Sequence, residues 1–213
     1  MCEALVAEYG TPRHGNPSDP IDDLVYLIVS TRTSIERAEL AFRRLKESFA
    51  DWSGLADAPY ERVVELLAPA GLSERKADWL QRSIRRLHAL GGADPSSWLR
   101  SLSEAEQYER LVELPGVSDK VARCVLSYAL DRQVLAVDAH VHRVSLRLGW
   151  TAEPRPVDAR AELEELVAPR WRLPYHVCCV AHGRSRCRAR RPLCDGCPVL
   201  SHCEYGRSRS AED

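Results

Sequence analysis

The chain has 213 residues, of which 45% are hydrophobic and 29% charged, with a net charge of −1. This composition excludes a wholly disordered chain, and no apolar run approaches the ~20 residues of a membrane span. Met1-Cys2-Glu3-Ala4 lacks the basic region and apolar core of a secretory leader, so a soluble, cytoplasmic protein is expected.

Helical periodicity punctuated by Pro, Gly and Ser runs along the chain, with no convincing strand. Residues 11–20, with three prolines, read as a loop. A buried helix is expected over 21–30. An amphipathic one follows over 34–48, with Ile35, Ala38, Ala41, Phe42 and Leu45 on one stripe. Short helices are expected near 52–57 and 59–68. Ser73 is placed to cap a longer helix that reaches about His88 and is ended by Gly91-Gly92. Ser103 and Glu106 form a capping box for a helix over 104–114, which Pro115-Gly116 breaks. The next helix runs from near Ser118 to Leu130. Asp138 is placed to cap another, from Ala139 to Leu148, which Gly149 stops. Helices over 157–168 and 173–182 and a polar tail complete an all-α chain of around ten short helices.

Eight cysteines are present, and four crowd into one stretch as Cys187, Cys194, Cys197 and Cys203, spaced C-x6-C-x2-C-x5-C. Clustered cysteines without a secretory leader read as a metal site, either zinc or an iron–sulfur cluster. Only Cys194 and Cys197 are tightly paired, which leans toward the cluster. Cys124, Cys178 and Cys179 lie in apolar helical stretches and read as small buried hydrophobes. The cysteine stretch is also rich in arginine: Arg184, Arg186, Arg188, Arg190 and Arg191 form a local basic patch suited to phosphates.

Lysines are scarce, with only Lys46, Lys76 and Lys120 among 30 basic residues. Lys120 ends Leu114-Pro115-Gly116-Val117-Ser118-Asp119-Lys120, a helix–tight turn–helix pattern. Such a turn exposes the amides of the following helix N-terminus, an anion site. A lysine in that first turn is disfavoured as a cation by the helix dipole. If it is also desolvated, it becomes a neutral amine nucleophile able to form a Schiff base. Pro69-Ala70-Gly71-Leu72-Ser73-Glu74-Arg75-Lys76-Ala77 echoes the same pattern. Asp138 is an N-cap by pattern, and also a carboxylate able to take a proton from Lys120 or stabilise a developing cation. His140 and His142 are two apart, cannot share a helical face, and make a two-histidine metal site improbable.

Taken together and in order, the Lys120 turn, the Val137-Asp138-Ala139-His140 segment and the C-x6-C-x2-C-x5-C ending resemble the endonuclease III family of helix–hairpin–helix DNA glycosylases. The resemblance runs from about Leu24 to Cys203. It implies a helical barrel lobe at 22–132 containing the hairpin, and a second lobe that combines 1–21 with 133–213. The second lobe would hold a [4Fe-4S] cluster on Cys187, Cys194, Cys197 and Cys203. It implies Lys120 and Asp138 as catalytic residues, and double-stranded DNA carrying damaged bases or abasic sites as partner of a monomer. Hairpin residues Gly116, Val117 and Ser118 would hold a phosphate. Leu72 matches the family's wedge residue, and Arg32 falls where a gap-filling Gln is common. Arg188, Arg190 and Arg191 lie in its DNA-contacting loop. The implied chemistry is excision of an oxidised pyrimidine through a Lys120 Schiff base, followed by β-elimination. Departures are Ser118 for a hairpin Gly, Asp119 for a basic residue, Ala139 for Thr and Arg32 for Gln. Rival readings are a monofunctional glycosylase, an adenine-excising relative, and a non-catalytic iron–sulfur DNA-binding protein.

Overall fold

The structure is a computed structural model that describes residues 1–10 and 15–210. The first part of the expected proline loop (11–14) and the end of the tail (211–213) lie outside the described residues. No strand occurs among the described residues. In chain order the helices are α1 (Cys2–Tyr9), α2 (Pro20–Ser30), α3 (Ile35–Ser48), α4 (Trp52–Asp57), α5 (Tyr60–Leu67), α6 (Ser73–Gly91) and α7 (Pro95–Ser101). They continue as α8 (Glu104–Val112), α9 (Asp119–Tyr128), α10 (Ala139–Leu148), α11 (Pro156–Leu166), α12 (Pro169–Ser185) and α13 (Glu204–Ser210). Short 3-10 turns lie at Ala68–Ala70 and Leu200–His202.

The chain divides into two compact units, one of Asn16–Arg132 and one of Met1–Gly15 with Gln133–Asp213. In the first unit α2 is the central element, packed against α3, α6, α7 and α9. Its start is set locally. Asp19 accepts from the Ile21 amide at 2.9 Å and the Asp22 amide at 3.0 Å, and Pro20 occupies the first helical position, where a missing N–H costs nothing. Leu24, Val25, Ile28 and Val29 are then fully buried. The α8 capping box forms as the Ser103/Glu106 pattern predicts.

In the second unit α10 and α1 both pack on α12. Its core gathers Leu5, Val141, Val144, Leu148, Leu163, Tyr175, Cys178 and Cys179. The Tyr175 hydroxyl is satisfied by Ser145 Oγ at 2.7 Å.

The structure corrects several expectations. Ile35 is 43% exposed, because it heads α3 ahead of the buried run Ala38, Ala41 and Leu45. Ser73 does not cap α6. It is the first helical residue, and Leu72 holds the cap position in a left-handed conformation. The helix expected over 173–182 starts at Pro169, and Pro174 lies within it, where it removes one backbone hydrogen bond without ending the helix. Helices α1, α7 and α13 are additional. The α1 and α13 segments are too short to stand alone in water and are held by packing on α12 and α10.

Candidate active site and cysteine cavity

The turn between α8 and α9 depends on Gly116. Its φ is +79°, and a Cβ there would stand 2.6 Å from the Trp79 ring on α6. Both the left-handed backbone and the close approach of Trp79 require glycine. The Val117 amide donates to Leu114 O at 3.2 Å and closes the turn, while Val117 itself is buried. Val117 N–H is thus engaged within the turn. The described bonds leave the amides of Gly116 and Ser118 uninvolved. Ser118 caps α9, its Oγ accepting from the Val121 amide at 3.4 Å. The side chain that replaces a second glycine therefore serves the helix start. Asp119 accepts from Arg123 Nε at 2.9 Å and from the Tyr108 hydroxyl at 2.8 Å, so its charge is paired at the helix surface.

Lys120 is the second residue of α9 and is half-buried. Its charge acts on Asp23 of α2, a carboxyl with no exposed surface. Asp23 Oδ1 accepts from Asn16 Nδ2 at 2.7 Å, and Oδ2 has no hydrogen-bond partner. Burial pushes this carboxyl up to about 7, against the lowering influence of Asn16 and Lys120. The sequence reading missed Asp23. The available signal is its place four residues before Leu27, on the apolar side of a helix whose other early acids, Asp19 and Asp22, have surface roles as cap and ion-pair partner.

Arg32 and Leu72 are both exposed, and both have a left-handed backbone with φ of 53° and 51°. Each sits on a turn of the first unit, Arg32 after α2 and Leu72 before α6. Lys76, in the first turn of α6, is fully buried, and burial pushes its ammonium down to about 8.

In the second unit Asp138 caps α10. Its Oδ1 accepts from the amides of His140 and Val141, each at 2.8 Å. Val137 before it is buried while Asp138 itself is half-buried. The cap and the candidate carboxylate are therefore the same side chain, with both described bonds on one oxygen. His140 Nδ1 lies 3.1 Å from Arg143 Nη2, and burial pushes its imidazole below the ordinary range. His142 Nε2 instead meets Glu153 O at 2.8 Å. The two histidines serve separate structural contacts.

Cys187, Cys194, Cys197 and Cys203 line one pocket, together with Val144, Arg147, His182 and Leu200. None is in a disulfide. Arg147 Nη1 approaches Cys187 Sγ at 3.1 Å, and the Gly206 amide donates to Cys203 Sγ at 3.3 Å. Burial pushes the thiols of Cys197 and Cys203 up, and the charge of the other cysteines adds in the same direction. The four sulfurs are thus within one another's electrostatic reach. Among the described residues, no three His, Cys, Asp or Glu side chains meet around a single-ion position.

The loop after Cys187 is held from α10. Arg143 Nε donates to Cys187 O at 3.0 Å, Arg147 Nη1 to Arg188 O at 2.8 Å, and Arg147 Nη2 to Ala189 O at 3.1 Å. Arg188, Arg190 and Arg191 are exposed on it. Arg188 Nε turns back to Ser185 O at 3.0 Å, and Arg191 takes a φ of 51°.

Residues 25–169 match the model of the HhH-GPD superfamily of base excision DNA repair proteins. Over 199 residues the chain is 34% identical to endonuclease III of Thermotoga maritima, covering 93% of this chain and 89% of that one. It is 31% identical over 189 residues to endonuclease III of Synechocystis, covering 86% and 80%. Among solved structures, a non-covalent endonuclease III–DNA complex superposes with a TM-score of 0.86 at 23% identity, over 99% of this chain and 95% of that one. The last comparison concerns the fold. No described helix is long and apolar enough to cross a membrane.

Proposed function

The chain belongs to the endonuclease III family of base excision DNA repair enzymes, DNA glycosylases with AP lyase activity, and from that premise we propose that Lys120 is its nucleophile and oxidised pyrimidines in double-stranded DNA its substrates. The observation that carries this reading is the half-buried Lys120 in the first turn of α9, directly behind the Gly116 turn. The Gly116 and Ser118 amides and the positive end of α9 take a backbone phosphate. The damaged nucleotide leaves the base stack. The Lys120 amine attacks the sugar C1′, the C1′–N bond breaks, and the base departs with the bonding electrons and takes up a proton. Loss of the remaining amine proton and opening of the sugar ring give a Schiff base. Removal of a C2′ proton then expels the 3′ phosphate and nicks the strand. Asp138 takes up the proton that Lys120 releases and stabilises the developing cation.

Leu72 enters the duplex as wedge and Arg32 fills the space left by the extruded nucleotide. Exposed Arg190 and Arg191, with the Arg188 backbone held by Arg147, meet phosphates along the strand. Cys187, Cys194, Cys197 and Cys203 would hold a [4Fe-4S] cluster. Four cysteines, none in a disulfide, that line one pocket suit one cysteine per iron. When bound, such a cluster would neutralise the repulsion of four thiolates, and the four cysteines holding it would fix the shape of the arginine loop. The chain acts as a monomer in this reading.

The test is borohydride trapping on duplexes that contain one thymine glycol or one abasic site, with wild type and Lys120→Ala side by side. A covalent adduct lost in the variant, which still binds DNA, is the expected result. An adduct on the abasic site alone would make the chain a lyase without this base specificity. Full nicking by Lys120→Ala would overturn the assignment of the nucleophile.

A further inference from the structure

Lys76 takes no part in the chemistry above, yet its position is unusual for a lysine. It is fully buried, and its Nζ donates to two main-chain carbonyls, Val29 O at 2.7 Å and Ala70 O at 2.9 Å. Val29 lies in the last turn of α2, where carbonyls have no partner inside the helix and carry the negative end of its dipole. Three residues on, the chain reaches Arg32. Ala70 ends the 3-10 turn that leads through Gly71 to Leu72. A second link joins the same two turns: Thr33 Oγ1 donates to Ala70 O at 2.7 Å. One ammonium and one hydroxyl thus fasten the turn that carries Arg32 to the turn that carries Leu72.

Both turns place a non-glycine residue at positive φ, and both of those side chains are exposed. Such backbone is strained and persists only where its surroundings over-determine it. Local main-chain bonds hold each turn, Thr33 N–H to Ser30 O at 3.2 Å and Gly71 N–H to Ala68 O at 3.3 Å, and the Lys76 and Thr33 side-chain bonds link one turn to the other. A charge buried to make them is not there for surface solubility, since an ammonium away from water is retained only where strong acceptors surround it.

We infer that Lys76 is a positioning residue that joins Arg32 and Leu72 into one two-residue tool, so that the apolar and the cationic side chain enter the duplex together. The inference rests on the proposed DNA reading. Its physical content is preorganisation. Two independently mobile turns would each have to be ordered on binding, whereas two fastened turns have met that cost on folding. Lys76 itself touches no DNA in this account.

The experiment uses a duplex with a tetrahydrofuran abasic analogue, which has no C1′ hydroxyl and cannot form a Schiff base, opposite 2-aminopurine. The fluorescence rise on binding reports unstacking without chemistry. Variants are Lys76→Met, Thr33→Val, Leu72→Ala and the Thr33→Val/Leu72→Ala double. Thr33→Val and Lys76→Met should each lower the equilibrium for unstacking at least five-fold. Binding of undamaged duplex, and trapping on a single-stranded abasic oligonucleotide that needs no wedge, should stay within two-fold of wild type. The double variant should be no worse than Leu72→Ala alone, because a fastened turn without its wedge has nothing left to position.

Unchanged unstacking in folded Thr33→Val, or losses that simply multiply in the double variant, would overturn the inference. If Lys76→Met does not fold, Thr33→Val and the double variant decide the question alone. Failure of the otherwise native chain to trap an abasic site in duplex DNA would instead count against the functional reading.

Discussion

Replacing Asp23 with Asn should change how the stability of the protein responds to pH. The carboxyl is fully buried, with one oxygen bonded to Asn16 and the other without a partner, and burial pushes it up to about 7 from an ordinary 3.8. Between those two values the folded chain keeps a proton that the unfolded chain releases. Stability therefore falls as pH rises through that window, with a slope of up to about 1.4 kcal/mol per pH unit. Over roughly three units the loss sums to about 4 kcal/mol, fully present above the folded value and absent below about pH 4. Asp23→Asn removes this titration. The amide adds an offset of its own, since one of its groups has no described acceptor, but that offset does not vary with pH. Urea unfolding of wild type and variant in steps from pH 4 to 8 gives the difference directly, and effects of the cysteine cavity common to both proteins cancel. The variant should gain about 4 kcal/mol relative to wild type between the ends of the range. A difference that varies by less than 1 kcal/mol, or that moves in favour of wild type as pH rises, would refute the reasoning.

Gly116→Ala should cost about 2 kcal/mol or more of stability, from the strained φ and the overlap with Trp79. The variant should also weaken binding to undamaged duplex, and a thermal midpoint within a degree of wild type would contradict the account. Purified protein should contain iron and acid-labile sulfide, and Cys203→Ser should lower both. One stoichiometric zinc with no iron would refute the cluster.

Features set by local interactions are legible in the sequence. Asp138 at the start of α10, the Ser103/Glu106 box and the glycine turn before α9 each rest on contacts within a few residues, which spacing reveals. Asp23 and Lys76 behave otherwise. Whether a charged residue is buried depends on which helices cover it, and that is a matter of tertiary packing. The echo between the Lys76 and Lys120 segments is visible, but its divergence is not. Ser118 caps its helix, whereas the matching Ser73 lies inside one, so the two turns differ by one residue in register. The short helices α1 and α13 carry too little periodicity to be read without the partners they rest on. The pairing of Asp119 with Arg123 likewise softens a charge that the bare sequence sets against DNA.

Helix α10 is a shared mount. Asp138 stands at its N-terminus, while Arg143 and Arg147, further along the same ten residues, grip the backbone from Cys187 to Ala189. At ~1.5 Å of rise per residue the whole mount is about 15 Å long, and a helix that short transmits rotation about its axis with little twist of its own. Whatever sets the seating of the cysteine loop therefore also sets the aim of the carboxylate. With Asp138 in the role proposed for it, chemical damage to the sulfurs need not approach the reacting sugar to spoil the enzyme, because it acts like a loosened bearing at the far end of a short axle.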